Sequence, residues 1–248
     1  MSLYPAIVRA YAAFRELQLA RVHRDPMSVQ RRTLLRLVRR AADTAWGRQF
    51  DYASIRSVAE FQRRVPIQNY ASMKPWWRRN FDGEADITWP GLPPWFAATS
   101  GTTSGDKYVP VTRELLRSHA RVSADLLALY ARRRPDRARR LFGGVFLGIG
   151  GTTTLERRGA VQVGDASGIA AGRVCWPLTR WYSPGRDIAA IVDWEERIGR
   201  IAERAAKQNV TFLAGIPSWV KVLLDRVLCG AVRSRNPEPG TRNPTFAS

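Results

Sequence analysis

The sequence predicts an α/β protein in which a mixed sheet is flanked by helices and preceded by a helical N-terminal segment. Apolar residues recur at helical spacing across residues 3–46, which indicates amphipathic helices. From residue 93 onward, short apolar runs alternate with longer stretches of helical periodicity, a pattern typical of α/β architecture. A chain of 248 residues with 45% hydrophobic content can bury a sizeable core.

The N-terminal segment is expected to form two helices. Pro26 and Ser28 supply a break and a candidate N-cap between them. Ser57 precedes VAEF, and Glu60 follows three residues later, which is a capping-box pattern for a further short helix. This part of the chain is therefore expected to be helical.

The remainder contains four apolar stretches that are expected to form buried strands: PPWFAATSG, RRLFGGVFLGIGG, AVQVGDASGI and TFLAG. Thr112 is a candidate N-cap for a long helix with apolar residues at helical spacing from Leu115 to Tyr130. Residues 187–210 predict another helix, and a third is expected after the Gly-Ile-Pro turn at 215–217. The segment YVPV links the first strand's loop to the long helix.

The composition changes after Leu228. Residues 229–248 contain three prolines and no hydrophobic periodicity, so they are expected to be a disordered tail unrelated to the rest. Residues 1–228 are expected to form the folded part.

The chain is strongly basic, with 40 Lys+Arg, a net charge of +19 and a pI near 11.3. Such a chain can attract nucleic acid, anionic membranes or phosphorylated ligands. In the arginine-rich run 31–40, however, Leu34, Leu35 and Val38 share one helical face, which indicates a solvated helix surface. Nucleic-acid binding is therefore an alternative rather than the main prediction.

The sequence indicates a soluble protein in a reducing, cytoplasmic setting. No apolar run reaches the roughly 18–20 residues that span a bilayer. Cys175 and Cys229 provide neither a disulfide framework nor a zinc spacing. With two histidines, the chain has no predicted metal site, and no catalytic residue is assigned.

One loop, TSGTTSGDK, differs from the rest of the chain. Glycines let backbone N–H groups approach an anion, and Ser and Thr hydroxyls add donors. Lys107, one of four lysines in the chain, adds a mobile positive charge. The spacing matches neither a Walker A nor a Rossmann motif. The residues alone leave phosphate binding and a polar turn as alternatives.

The stretch TSGTTSGDKYVPVT resembles the ATP-phosphate loop of adenylate-forming enzymes, specifically the GH3 auxin-responsive family of acyl acid–amido synthetases. AADTAWGRQFDYASIRSVAEFQRRVPIQNYASMKPW, GGTTTLERRGAVQVGDASGI and FLAGIPSWVKVLLDRV also resemble that family. The resemblance extends from about residue 10 to 228.

The resemblance implies ATP-dependent activation of a carboxylic acid as an acyl-adenylate, followed by amide formation with an amine or amino acid, with Mg²⁺ neutralising phosphate charge. It implies that the ATP phosphates contact Thr99, Ser100, Gly101, Thr102, Thr103, Ser104, Gly105 and Lys107. It also implies that the acyl substrate contacts Ser167, Gly168, Gly215, Pro217 and Trp219, although a buried strand end would have the same Gly/Pro/Trp composition.

Members of the family are roughly twice as long, and their adenine, ribose and lid motifs have no counterpart here. The chain is therefore expected to be the N-terminal portion of such an enzyme, an incomplete adenylation domain whose activity alone is in doubt. Two alternatives stay open: an adenylating ligase that uses coenzyme A as acceptor, and a non-catalytic basic fragment that binds nucleic acid or acidic partners.

Overall fold

The computed structural model describes residues 4–99, 107–174 and 178–235. The α-helices are α1 Tyr4–Arg24, α2 Pro26–Arg40, α3 Ala45–Gln49, α4 Val58–Arg64, α5 Tyr70–Phe81, α6 Arg113–Arg133, α7 Pro135–Leu141, α8 Ala166–Ala171, α9 Arg186–Ala189, α10 Trp194–Ala205 and α11 Pro217–Arg235. The strands are β1 Trp95–Thr99, β2 Lys107–Val111, β3 Val145–Ile149, β4 Glu156–Arg158, β5 Val161–Asp165, β6 Tyr182–Ser183 and β7 Val210–Gly215. The predicted α/β class with a helical N-terminal segment is confirmed.

The N-terminal helices form where the periodicity predicted them, with one change of cap. Asp25, not Ser28, caps α2, because its Oδ1 accepts a hydrogen bond from the Ser28 amide at 3.0 Å. Ser57 caps α4 as predicted by accepting from the Glu60 amide at 3.1 Å. Glu60 in turn accepts from the Arg56 amide at 2.7 Å, so the capping contacts extend one residue upstream of Ser57.

These helices enclose a small aromatic core. Trp46 stacks edge-on against Trp76 at 5.2 Å between ring centroids, and its indole nitrogen donates to the Tyr52 hydroxyl at 2.9 Å. The buried members of this core are Val38, Ala41, Trp46, Tyr52 and Ile55. Burial of Trp46 in this core, rather than helix propensity, stabilises the short helix α3, and Phe61 of α4 packs against the same core.

The seven strands of the described residues divide into two sheets. The first has the order β2-β1-β5-β4, with β1 antiparallel to β2 and parallel to β5. The second has the order β6-β3-β7, and its strands are parallel. The mixed strand pairing predicted from sequence is present in the first sheet, while the second is the all-parallel kind that needs cover on both faces.

Strand β1 is buried on both faces because helices lie on each side of the first sheet. Trp95 and Ala97 pack against Ile169 of α8, whereas Phe96 packs against Phe81 of α5 on the opposite face. The YVPV segment, expected to be a connection, pairs with β1 as the edge strand β2. Proline is compatible with an edge strand because its missing N–H can face solvent.

The second sheet carries the main apolar core, formed by Leu147, Ile149, Ile188, Ile198, Ile201, Ala202 and Leu223. The helix expected over residues 187–210 is interrupted, since α9 ends at Ala189 and α10 starts after the N-cap Asp193, which accepts from the Glu196 amide at 2.7 Å. The last helix, α11, continues past Leu228 to Arg235. The first proline after Leu228 is Pro237, so no proline interrupts the helix between Leu228 and Arg235.

A partly buried ion pair joins the two 21-residue helices α1 and α6. Arg15 donates from Nε and Nη2 to the two carboxylate oxygens of Asp125, at 2.7 Å in each case, and the Tyr11 hydroxyl donates to Oδ1 at 2.8 Å. The side chains of Arg15 and Asp125 are 16% and 13% exposed. Within the described ranges, no helix is both long and apolar enough to cross a lipid bilayer.

Candidate functional site

Both ends of the hydroxyl-rich loop are fixed by strand pairing. Thr99 is the last residue of β1, Lys107 is the first of β2, and the two are direct partners in the antiparallel register. The intervening residues of the predicted phosphate-binding set, namely Ser100, Gly101, Thr102, Thr103, Ser104 and Gly105, lie outside the described residues. The strand pairing therefore fixes where the loop starts and ends.

Helix α5 supports the lysine end of the loop. The Lys107 Nζ lies 5.7 Å from the centre of the Tyr70 ring, and the Tyr70 hydroxyl accepts a hydrogen bond from the Tyr108 amide at 2.8 Å. A cation near an aromatic face is held by the negative potential of the ring. Tyr70 was not predicted as a site residue, and nothing in its local sequence indicates this role, because the contact joins residues distant in sequence.

Strand β5 brings a second polar group to the same end of the sheet. In the parallel register Asp165 lies opposite Ala98, next to the start of the loop. Asp165 is also the N-cap of α8: its Oδ1 accepts from the Ser167 amide at 2.8 Å and from the Ser167 hydroxyl. Asp165 thus positions Ser167, a predicted substrate-contacting residue, near the start of the loop.

A glycine turn after β3 closes against this pair. The Gly151 amide donates to the Ser167 hydroxyl at 2.8 Å. A Cβ on Gly150 would lie 2.7 Å from Ser167 Oγ, and one on Gly151 would lie 2.3 Å from Asp165 Cβ. Side chains at either position would displace the turn, so the GG pair in GIGGTTT is a detectable sequence signal for close backbone approach.

The rest of that turn is anchored to the loop after α9. The Thr153 amide donates to the Ala189 carbonyl at 2.8 Å, and the Thr154 hydroxyl donates to the Ala190 carbonyl at 2.7 Å. These bonds hold the turn residues on the second sheet against Asp165 and Ser167 on the first. The site is therefore assembled from the ends of strands in both sheets.

Gly168 has a packing role. A Cβ at this position would lie 1.9 Å from the Thr152 carbonyl oxygen and 2.8 Å from the carbonyl carbon. Helix α8 can approach the turn this closely because residue 168 has no side chain. The structure thus gives a steric reason for the glycine at position 168, and its contact with the acyl substrate stays a prediction.

The remaining predicted substrate residues separate into two groups. Gly215, at the end of β7, is the register partner of Ile149 and so lies one residue from the glycine turn. Pro217 is exposed at the start of α11. Trp219 instead stacks on Trp194 at 4.7 Å between ring centroids and packs against the core of the second sheet.

A buried arginine lies behind the turn. Arg197 of α10 is 5% exposed, and its Nη1 donates to the carbonyls of Ile191 and Val192 at 2.6 and 3.1 Å. Burial lowers the pKa of its guanidinium, while the charges of Asp165 and Asp193 favour the protonated form. The positive charge of Arg197 and the negative charge of Asp165 therefore attract each other across the base of the site.

The carboxyl ends of β1, β5, β3 and β7 thus place a lysine, hydroxyl groups, a carboxylate and closely packed glycines near one another. In open α/β sheets, ligands bind outside the carboxyl ends of parallel strands. Among the described residues, no group of three or more His, Cys, Asp or Glu side chains is arranged to hold a metal ion. The described arrangement can bind an anion beside Lys107 and orient a polar group beside Ser167.

A family model, described as the GH3 family N-terminal domain, matches residues 15–176, more than half of the chain. Two curated proteins of Oryza sativa subsp. japonica are each 33% identical over 103 residues, or 41% of this chain. The jasmonoyl–L-amino acid synthetase GH3.3 is covered over 22% of its length. The probable indole-3-acetic acid–amido synthetase GH3.12 is covered over 17%.

Solved structures of similar fold include the GH3.15 acyl acid amido synthetase, with a TM-score of 0.68 at 18% identity over 90% of this chain and 41% of that one. A second, AtGH3.15 in complex with 2,4-DB, gives a TM-score of 0.62 at 19% identity over 83% of this chain and 37% of that one. The chain thus spans less than half the length of these relatives.

Proposed function

Because this chain belongs to the GH3 family, we propose that it supplies the ATP-phosphate loop and part of the acid-binding site of an acyl acid–amido synthetase. The reaction is ATP-dependent activation of a carboxylic acid as an acyl-adenylate, followed by amide formation with an amine or amino acid. Residues 1–228 belong to the adenylation domain in this proposal. A cytoplasmic location is also part of it.

The observation that carries the proposal is the convergence at the loop. Thr99 pairs with Lys107, and Ala98 pairs with Asp165. A loop rich in glycine and hydroxyl groups, with a lysine at its end, therefore opens beside the polar pair Asp165 and Ser167. A nucleotide and a second, smaller substrate could approach each other there, as positioning for group transfer requires.

The residues present fit a bound nucleotide. The Lys107 Nζ lies over the Tyr70 ring at the end of the loop, and in this proposal its positive charge contacts phosphate oxygens. Thr99 and Lys107, together with residues 100–105, would hold the phosphates. ATP would supply the adenylyl group that activates the acid, and Mg²⁺ would neutralise phosphate charge.

The polar pair beside the loop would orient the acid substrate. The Ser167 hydroxyl donates to Asp165 and accepts from the Gly151 amide, so its orientation is fixed before a ligand binds. A preorganised polar group costs little reorganisation when charge develops nearby. Ser167, Gly168 and Gly215 would line the acid site, with Pro217 at its rim and Trp219 supporting it from the core.

Acid-dependent exchange of pyrophosphate into ATP tests the proposal. The assay should use the full chain, alone and joined to polypeptide that restores the relatives' length, with a broad panel of carboxylic acids. Exchange in either form supports adenylation, and release of amide rather than thioester products separates amino acid acceptors from coenzyme A. No exchange in both forms, together with salt-sensitive DNA binding, would favour the basic binding-module alternative.

Lys107→Ala should weaken Mg–ATP binding about tenfold, because a charge-assisted contact to phosphate is lost. Ser100→Ala should also weaken Mg–ATP binding. Lys207→Ala is the matched control, since Lys207 is an exposed lysine next to α10. Equilibrium titration with Mg–ATP provides the measurement; equal affinities for the wild-type protein and the Lys107 and Ser100 variants would reject the loop assignment.

A further inference from the structure

A cavity of about 500 Å³ lies at the end of α8 away from Ser167. Ser167 is in the first turn of α8, whereas the cavity is lined by Ala171, the last residue of the helix, and by Arg173, two residues further on. Cavities of this volume are typical of small-molecule binding sites. The cavity is therefore separate from the polar pair Asp165 and Ser167.

Two arginines line this cavity. The guanidinium carbon of Arg173 lies 4.2 Å from the centre of the Trp95 ring, and the Arg186 Nη2 donates to the Val174 carbonyl at 3.4 Å. Both arginines are exposed, so the cavity is accessible from solvent. These contacts restrict the two long side chains before a ligand arrives, which lowers the entropic cost of binding. A planar guanidinium matches the paired oxygens of a carboxylate or a phosphate.

The charge around the cavity is positive. Residues 171–186 include three arginines and no acidic residue. The next residue, Asp187, accepts hydrogen bonds from the Arg204 guanidinium at 2.9 and 2.7 Å, and this contact lowers the pKa of Asp187 to about 2. The carboxylate closest in sequence is thus already paired with Arg204. The cavity therefore favours an anionic ligand.

Uncharged groups complete the lining. Burial raises the pKa of Tyr182, so its hydroxyl stays protonated at neutral pH and can donate a hydrogen bond. The Tyr182 ring packs against Gly148 of β3, where a Cβ would lie 2.7 Å from the tyrosine oxygen. Beside two threonines, Thr153 and Thr179, the lining contains the small apolar residues Ala171, Val174, Ala189 and Ala190. A ligand with a charged head group and an apolar body therefore matches this cavity.

The glycine turn after β3 separates the cavity from the candidate site. On one side of the turn, the Gly151 amide donates to the Ser167 hydroxyl. On the other side, Thr153 lines the cavity, and its amide donates to the carbonyl of Ala189, another lining residue, at 2.8 Å. A ligand in the cavity would therefore contact the residues that anchor the turn.

We propose that this cavity binds a small organic anion, with its carboxylate or phosphate group on Arg173 and Arg186 and its apolar body against Ala189 and Ala190. The site goes beyond the proposed function, because it lies on the other side of the glycine turn from Ser167.

Equilibrium titration of the full 248-residue chain with three probes that share one aromatic ring tests the proposal. The probes are benzoate, phenyl phosphate and uncharged benzyl alcohol. We expect at least one anion to bind about tenfold more tightly than benzyl alcohol, because only the anions form charge-assisted hydrogen bonds with the arginines. The tighter of the two anions identifies the preferred head group. The bound anion should also slow hydrogen exchange at the Thr153 amide about threefold or more.

Arg173→Gln and Arg186→Gln should each weaken binding of the preferred anion about tenfold, and Tyr182→Phe about threefold. Arg180→Gln is the matched control, because it removes the same charge from the same segment. Arg180 is exposed, and its guanidinium carbon lies 6.0 Å from the centre of the Trp181 ring, outside the cavity lining. We expect Arg180→Gln to change the affinity less than twofold.

Three outcomes would overturn the proposal. The first is that neither anion binds more tightly than benzyl alcohol. The second is equal weakening by Arg173→Gln, Arg186→Gln and Arg180→Gln, which would indicate a general effect of net charge. The third is loss of binding in Ser167→Ala with full binding in the two cavity variants, which would assign the anion to the candidate acid site.

Discussion

Gly168→Ala is expected to lower the free energy of unfolding by about 3 kcal/mol, because a methyl group there cannot be accommodated. The new Cβ would lie 1.9 Å from the Thr152 carbonyl oxygen. That oxygen belongs to the backbone of a turn whose neighbouring residues bond to Ala189 and Ala190, so it cannot move aside as a flexible side chain would. The turn and α8 must separate, and the Gly151 contact to Ser167 should be lost with them.

Gly172→Ala is the matched control because Gly172 follows the same short helix. Its nearest neighbours to an added Cβ are the Gly168 carbonyl oxygen at 3.4 Å and Thr153 Cβ at 3.7 Å, and its φ of −63° suits alanine. We expect Gly172→Ala to be neutral or stabilising by about 0.5 kcal/mol, through the unfolded state. Urea denaturation measures both variants; similar free energies of unfolding would show that α8 and the turn are not in tight contact.

Asp125→Ala is expected to cost about 2 kcal/mol of stability. The change leaves the Arg15 guanidinium and the Tyr11 hydroxyl without their shared acceptor in a largely buried contact. Removing one partner of a buried pair costs several kcal/mol because the other charge remains desolvated. The expected loss of stability is smaller here because the side chains of Arg15 and Asp125 remain 16% and 13% exposed to solvent. Loss of this contact should release α1 from α6.

The contribution of Asp125 should also depend on pH. The hydrogen bond from Arg15 holds the pKa of Asp125 below its ordinary value, with help from Tyr11. The folded pKa is thus lower than the unfolded value of about 3.9, so the stabilisation is complete above that pH and is lost as the pH falls through the folded pKa. The stability difference between wild type and Asp125→Asn should therefore shrink in acid.

Asp225→Ala provides the comparison for an exposed pair. Lys221 and Asp225 lie one helical turn apart in α11, and their side chains are 77% and 56% exposed. Such pairs contribute about 0.5 kcal/mol or less. Urea denaturation and proteolysis of α1 compare the two variants. If Asp125→Ala lowered the free energy of unfolding, and raised the protease sensitivity of α1, no more than Asp225→Ala does, the Arg15–Asp125 contact would not anchor the helix.

Much of the fold follows from local patterns, and the exceptions have physical causes. The four strands predicted from apolar runs are present as β1, β3, β5 and β7. YVPV was not predicted as a strand, since a proline argues against one unless the strand lies at an edge, and edge position depends on the partner β1. The interruption between α9 and α10 was also missed, because apolar periodicity continues across the cap at Asp193.

The candidate site was predictable where its residues are adjacent in sequence. The loop from Thr99 to Lys107 was predicted from local composition and resemblance, and the pair Ser167 and Gly168 from resemblance alone. The roles of Tyr70 beneath Lys107 and of the glycine turn against Asp165 were not, because each depends on a contact across elements.

The sequence by itself determined the α/β class, the family resemblance and the hydroxyl-rich loop, because these depend on residue type and spacing along the chain. Only the tertiary structure decided that Thr99 and Lys107, at the two ends of the hydroxyl-rich loop, lie at the same end of the sheets as GDASG and GIGGTTT, since strand register sets which residues face each other. It also decided that Trp219 packs against the core of the second sheet. Periodicity specifies which face of an element is apolar, whereas packing specifies what that face meets.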